Sequence, residues 1–298
     1  MRLRVFGIGL VLSTAIALPL QGQEIPGPYK EVLATLGRQG DFKDKVLKVN
    51  IPRNDVTVTV AGVATPTPFG FGGWIALTKG NGMDVLMGDL VLLQEEVNPV
   101  MSALLENGLE VTALHNHFLW DEPRMFYMHV HGHGTPADLA RQLKPALDLI
   151  GKAASGSTAS LPSPAAPTPA IDTAKIAQIV GVQGEQAGAV YKITIGRDDL
   201  KLTEMGAPIN ARMGLNTWAA FIGTNDRASV AGDVAMLAGE VQPVLRALRK
   251  AGIDIVAIHH HMTGTQPTVY FLHYWGTGPA DTLAAAFKAA LSQLGTSN

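Results

Sequence analysis

Imidazole is the side chain best suited to hold a transition metal near neutral pH. The nine histidines of this 298-residue chain are not scattered. His115 and His117 stand either side of Asn116, and His129 follows after eleven residues. His259, His261 and His273 repeat that spacing, with His260 in the middle position. Each set reads H-x-H-x11-H. Three imidazoles on one surface suit a divalent transition ion, zinc or copper first, and three histidines with one open position form a known catalytic zinc arrangement. His131 and His133 fall on Trp275 and Thr277 in the second set, and either extend the first site as additional ligands or face solvent. Asp89 and Asp233 are further ligands, or partners that orient a ring. Glu96 and Glu240 are candidates for a fourth ligand or a general base. The chain has no cysteine, which excludes disulfides, zinc-thiolate sites, iron–sulfur clusters and thiol nucleophiles.

The elements must bring these rings together. A strand places alternate side chains on one face, so His115 and His117 share a face. Two strands, about Glu110–Leu119 and Arg124–His131, are predicted to form a hairpin turning near Glu122. In that register, residues whose numbers sum to about 244 face each other. His115 then lies opposite His129, and each repeat assembles its own triad. Leu114, Phe118, Phe126 and Met128 occupy the other face and are expected in the core, as are Ile258 and Leu272 in the second copy. Val97, Val100, Met101, Leu104 and Leu105 recur at helical spacing over Glu95–Asn107, and Gly108 supplies the stop. Strands are expected at Val46–Ile51, Val56–Val60, Trp74–Thr78 and Val85–Leu93, with a closing helix from Ala137. Trp74 and Trp218 either line a pocket or, the first choice, pack in the core. Arg53 with Asp55, and Arg197 with Asp199, read as turn-stabilising pairs.

The chain pairs with itself at an offset of 144 residues, Leu36–Leu147 falling on Val180–Leu291. Trp74 meets Trp218, Gly88-Asp89 meets Gly232-Asp233, and Glu96 meets Glu240. The expected class is α+β: a tandem duplication of a mixed, largely antiparallel sheet domain with packed helices. The copies span 24–151 and 171–298, joined by an Ala/Ser/Pro-rich linker over 152–170, and are able to dock as a pseudo-dimer. Residues 1–23 have the basic start and apolar run of a signal peptide, so a periplasmic or secreted protein is expected, with no stable membrane insertion after cleavage. A net charge of −2 gives no footprint for nucleic acid.

The run Leu105-Glu-Asn-Gly-Leu-Glu-Val-Thr-Ala-Leu-His-Asn-His, followed by Glu122-Pro-Arg-Met-Phe-Tyr-Met-His129, resembles the LppY/LpqO family. Gly88-Asp-Leu-Val-Leu-Leu-Gln-Glu-Glu-Val-Asn-Pro-Val-Met fits the same pattern. The resemblance implies an exported protein built from a domain of unknown function, without an established reaction. This chain lacks the lipobox cysteine of the lipoprotein members, and its second copy diverges more, with His260 for Asn116 and Thr268 for Arg124. Three functions fit the residues. The first is an exported protein binding a divalent transition metal in each repeat. The second is a metal-dependent hydrolase or other metalloenzyme. The third is a metal-free module for a small molecule or sugar.

Overall fold

A computed structural model of the chain describes residues 23–152 and 171–295. The expected linker, Lys152 excepted, and the expected signal peptide, Gln23 excepted, lie outside the described residues. The first copy runs α1 (Gly27–Leu36), β1 (Asp41–Lys43), β2 (Val46–Pro52), β3 (Val58–Val60), β4 (Val63–Thr65), β5 (Gly72–Lys79), β6 (Asp84–Leu93), α2 (Gln94–Glu106), β7 (Glu110–His115), β8 (Asp121–Glu122), β9 (Met125–Gly134) and α3 (Pro136–Leu147). The second runs α4 (Thr173–Val180), β10 (Glu185–Ala187), β11 (Val190–Gly196), β12 (Thr203–Glu204), β13 (Ala207–Pro208), β14 (Asn216–Gly223), β15 (Ala228–Leu237), α5 (Ala238–Lys250), β16 (Asp254–His259), β17 (Val269–Gly278) and α6 (Ala280–Leu291). Each copy folds into a six-stranded antiparallel sheet, ordered β1-β2-β5-β6-β9-β7 and β10-β11-β14-β15-β17-β16. The fold is the duplicated α+β architecture that the sequence implies.

Every residue of β6 is buried, so both faces of the sheet are covered. The alternation shows by what. Leu86, Leu90 and Leu92 join Val100, Leu104, Leu139 and Leu143 in a core beneath the helices. The intervening Val85 and Met87 pack with Ala235, Met262 and Phe271 of the second copy. Val91 and Leu93 likewise share a cluster with Ala220, Ile222 and Trp275. The two sheets therefore meet face to face, each with helices on its far side. Polar contacts also tie them: Thr112 Oγ1 donates to His261 O at 2.7 Å, the Asn81 amide to Met205 O at 2.8 Å, and Arg212 pairs with Asp41.

The histidine strands depart from the expected hairpin. β7 stops at His115, short of Leu119, while β9 continues to Gly134. A bulge lies between Val111 and Ala113, and beyond it the partners sum to 242: Ala113 faces His129 and His115 faces Tyr127. The slip of two positions preserves every side chain's face, because the period of a strand is two. Leu114 and Ile258, expected in the core, are exposed, whereas Met128 and Phe118 are fully buried. Among the described residues, no helix is long and apolar enough to cross a membrane.

Candidate metal centre

One transverse row of each sheet builds the site. In the first copy Asn50 pairs with Trp74, Trp74 with Asp89, Asp89 with His129 and His129 with Ala113. The second copy repeats the row as Thr194, Trp218, Asp233, His273 and Ala257. Residues in one row share a face, and this face is the one between the sheets. Six imidazoles meet there. His115 stacks on His259 with ring centroids 3.8 Å apart, His117 sits 3.7 Å from His273, and His129 stacks 4.0 Å from His261. Within the first copy the separations are wider, 5.3 Å for His115–His117 and 5.0 Å for His115–His129. The two separate triads expected from spacing are thus one cluster on a pseudo-twofold axis. The physical reason is that sheet-on-sheet packing places each repeat's rings nearer the other repeat's than its own.

Two groups of ring nitrogens lie close enough to hold a metal ion: His115, His129 and His259, and His115, His117 and His273, the atoms of each within 4.8 Å of one another. Both groups draw on both repeats, and both use His115. His273 Nδ1 lies 3.1 Å from the carbonyl of Gly232, and His129 makes the matching contact with Gly88. A ring that donates Nδ1–H to a carbonyl turns an unprotonated Nε2 inward, the tautomer a metal requires. Nε2 of His129 and of His273 has no hydrogen-bond partner, nor does either ring nitrogen of His115, His117 or His259. Buried polar atoms are rarely left so. Burial, aided by neighbouring imidazoles, lowers the pKa of His115 and His259 to about 2 and holds the other four rings well below their ordinary value. All six are therefore neutral at pH 7, as ligands must be. His117 rests on Tyr127 and His261 on Phe271, centroids 3.3 and 3.4 Å apart.

The remaining candidates divide. Asp89 Oδ2 and Asp233 Oδ2 each sit 3.8 Å from Nε2 of His117 and His261. Burial raises Asp89 to about 7 and Asp233 well above the carboxylate range. Glu96 and Glu240 are not brought to the histidines. Glu96 Oε2 accepts from Arg53 Nη1 at 2.6 Å and from the Leu93 amide at 2.8 Å, while its Oε1 accepts from the Gly151 amide at 2.8 Å. Glu240 repeats this with Arg197, Leu237 and Gly295. Their oxygens are committed to a buried arginine and a helix start, which leaves no base or ligand role at the cluster. Arg53 and Arg197 also hold Asp55 and Asp199, as expected for turn pairs. His131 Nε2 lies 2.9 Å from Glu204 Oε1 of the other repeat, and His133 is exposed.

The family model described as Domain of Unknown Function (DUF1259) matches residues 30–149 and again 174–293. The chain belongs to the DUF1259 family. No curated protein matches it. Two similar solved structures are a trimeric bacterial microcompartment shell protein PduB (13% identity, 85% of this chain and 88% of that one, TM-score 0.21) and EtuB from Clostridium kluyveri (10%, 83% and 87%, TM-score 0.18). Beside the cluster this DUF1259 chain has a cavity of about 540 Å³, lined by Lys48, Trp74, Asp89 and His117, by their second-copy equivalents, and by His273. Trp74 and Trp218 are half-buried: each packs against a core cluster and also stands on the cavity wall, so both expected roles are met. Lys48 and Lys192 were legible as a lysine inside a strand, repeated at the 144-residue offset on the face of Val46 and Asn50.

Proposed function

We propose that this DUF1259 protein binds a single divalent transition ion, zinc or copper, at the centre shared by its repeats. The observation that carries this is the convergence of six buried, neutral imidazoles, each with at least one ring nitrogen that has no hydrogen-bond partner. An ion there gains nitrogen ligands from both copies, and the stacked rings leave little freedom to lose on binding. Metal analysis of the purified full chain should find one ion per chain, where a site in each repeat would give two. His115→Ala should abolish it, because both candidate ligand groups share that ring. Metal-free protein, or full loading of His115→Ala, would refute the reading.

A metalloenzyme is the second reading, favoured by the cavity that reaches His117, His261 and His273 and so gives a small molecule access to the ion. We also hold that the chain is exported, as its LppY/LpqO resemblance suggests. The basic Met1–Arg4 start and the apolar Val5–Leu20 run support this. N-terminal sequencing of protein from a cell fractionation should show the first 23 residues removed and the mature chain outside the cytoplasm.

A further inference from the structure

Lys48 and Lys192 face one cavity from opposite repeats. Each ammonium lies over a tryptophan, Lys48 Nζ 4.5 Å from the Trp74 ring centre and Lys192 Nζ 4.1 Å from that of Trp218. Among the described residues neither has a carboxylate within ion-pair distance, although Asp89 and Asp233 line the same space. Burial draws both lysines down to about 8, and at Lys48 the charges of Lys192 and Arg212 add to it. Arg212 lines the cavity as well. Two desolvated, mutually repelling cations with aromatic walls are costly to hold, and a negative group between them removes the cost. The volume suits a small molecule.

We infer that this cavity is a binding site for a small organic anion, a carboxylate or phosphate ester, whose charged end lies between Lys48 and Lys192 and whose body lies against Trp74 and Trp218. Asn50 and Thr194 flank the same wall and offer hydrogen bonds. The lysines come from β2 and β11 and not from the histidine strands, so the charged end is held by groups other than the proposed metal ligands, although His117, His261 and His273 line the same cavity.

Isothermal titration of the chelator-treated full chain with succinate, inorganic phosphate and the neutral succinamide tests it. Saturable binding of a dianion but not of succinamide is expected. Combining Lys48→Met with Lys192→Met should weaken it about tenfold or more, as loss of charge-assisted hydrogen bonds does, while Lys48→Arg retains it. Binding of phosphate alone would point to a phosphate ester, and of succinate alone to a carboxylate. Absence of dianion binding, equal affinity for succinamide, or undiminished affinity in the double variant would overturn the site. Loss in His129→Ala with retention in the double variant would move the anion to the histidines and equally overturn it. Should the double variant not fold, each lysine changed singly to glutamine, read against Lys48→Arg, decides the same question.

Discussion

At the scale of single residues, the chain separates groups that hold structure from groups left for a ligand. Arg53 and Glu96 exhaust their polar atoms on each other, on Asp55 and on backbone. Glu96→Ala leaves the buried guanidinium with Asp55 as its one carboxylate and removes the acceptor of the Leu93 and Gly151 amides, and about 3 kcal/mol of stability should be lost. Metal content per folded molecule should not change. Urea unfolding beside metal analysis checks both. The six imidazoles behave oppositely. Their folded pKa values lie below the ordinary 6.5, so the unfolded chain binds more protons. The imidazoles' contribution to the stability of the metal-free protein is full above about pH 7 and should fall as pH drops through the unfolded value, by up to ~1.4 kcal/mol per pH unit per ring. A urea midpoint that did not move between pH 8 and pH 5 would contradict the burial of these rings. His115, His117 and His129 were legible from spacing alone, because strand alternation is a short-range rule. Glu96 was misread because a helix-start carboxylate looks the same in sequence whether it meets a metal or an arginine from β2's end.

At the scale of elements, close strand approach governs the site. A Cβ at Gly88 would meet Ile75 Cγ2 at 2.8 Å, Trp74 O at 2.9 Å and Val130 Cγ1 at 2.9 Å. Gly88 also supplies the carbonyl that orients His129. Gly88→Ala should therefore cost about 1–3 kcal/mol through overpacking and lower metal affinity by disturbing that ring, while Gly27→Ala, with open space around it, leaves affinity unchanged. Competition with a chromogenic chelator measures the difference. The strands, the helix over 94–106 and its glycine stop were readable from periodicity. The two-residue slip of β7 was not, because it comes from a bulge at Thr112 that recurs at Val256 in β16, where the residue type differs, so no single residue type in the sequence marks it.

At the scale of the whole molecule, the repeats form one unit because the face carrying the chemistry is also the face that joins them. A ligand bound by both copies stabilises that union. Chelation should lower the melting temperature, by the equivalent of about 4 kcal/mol if the ion was present at a thousand times its dissociation constant. His115→Ala should melt where the chelated protein does, and calorimetry makes the comparison. That the duplication existed was plain from the offset of 144 residues. That two sites would merge was not, since nothing in one copy's spacing encodes the distance to its twin.

The cavity shows what joining the two halves in one chain permits. A dimer of identical chains presents identical walls on either side of its axis, so an unsymmetrical guest has two equal poses. Here Asn50 stands opposite Thr194, and Gly72 opposite Asn216. The walls differ, the two poses differ in energy, and a guest can be held one way round.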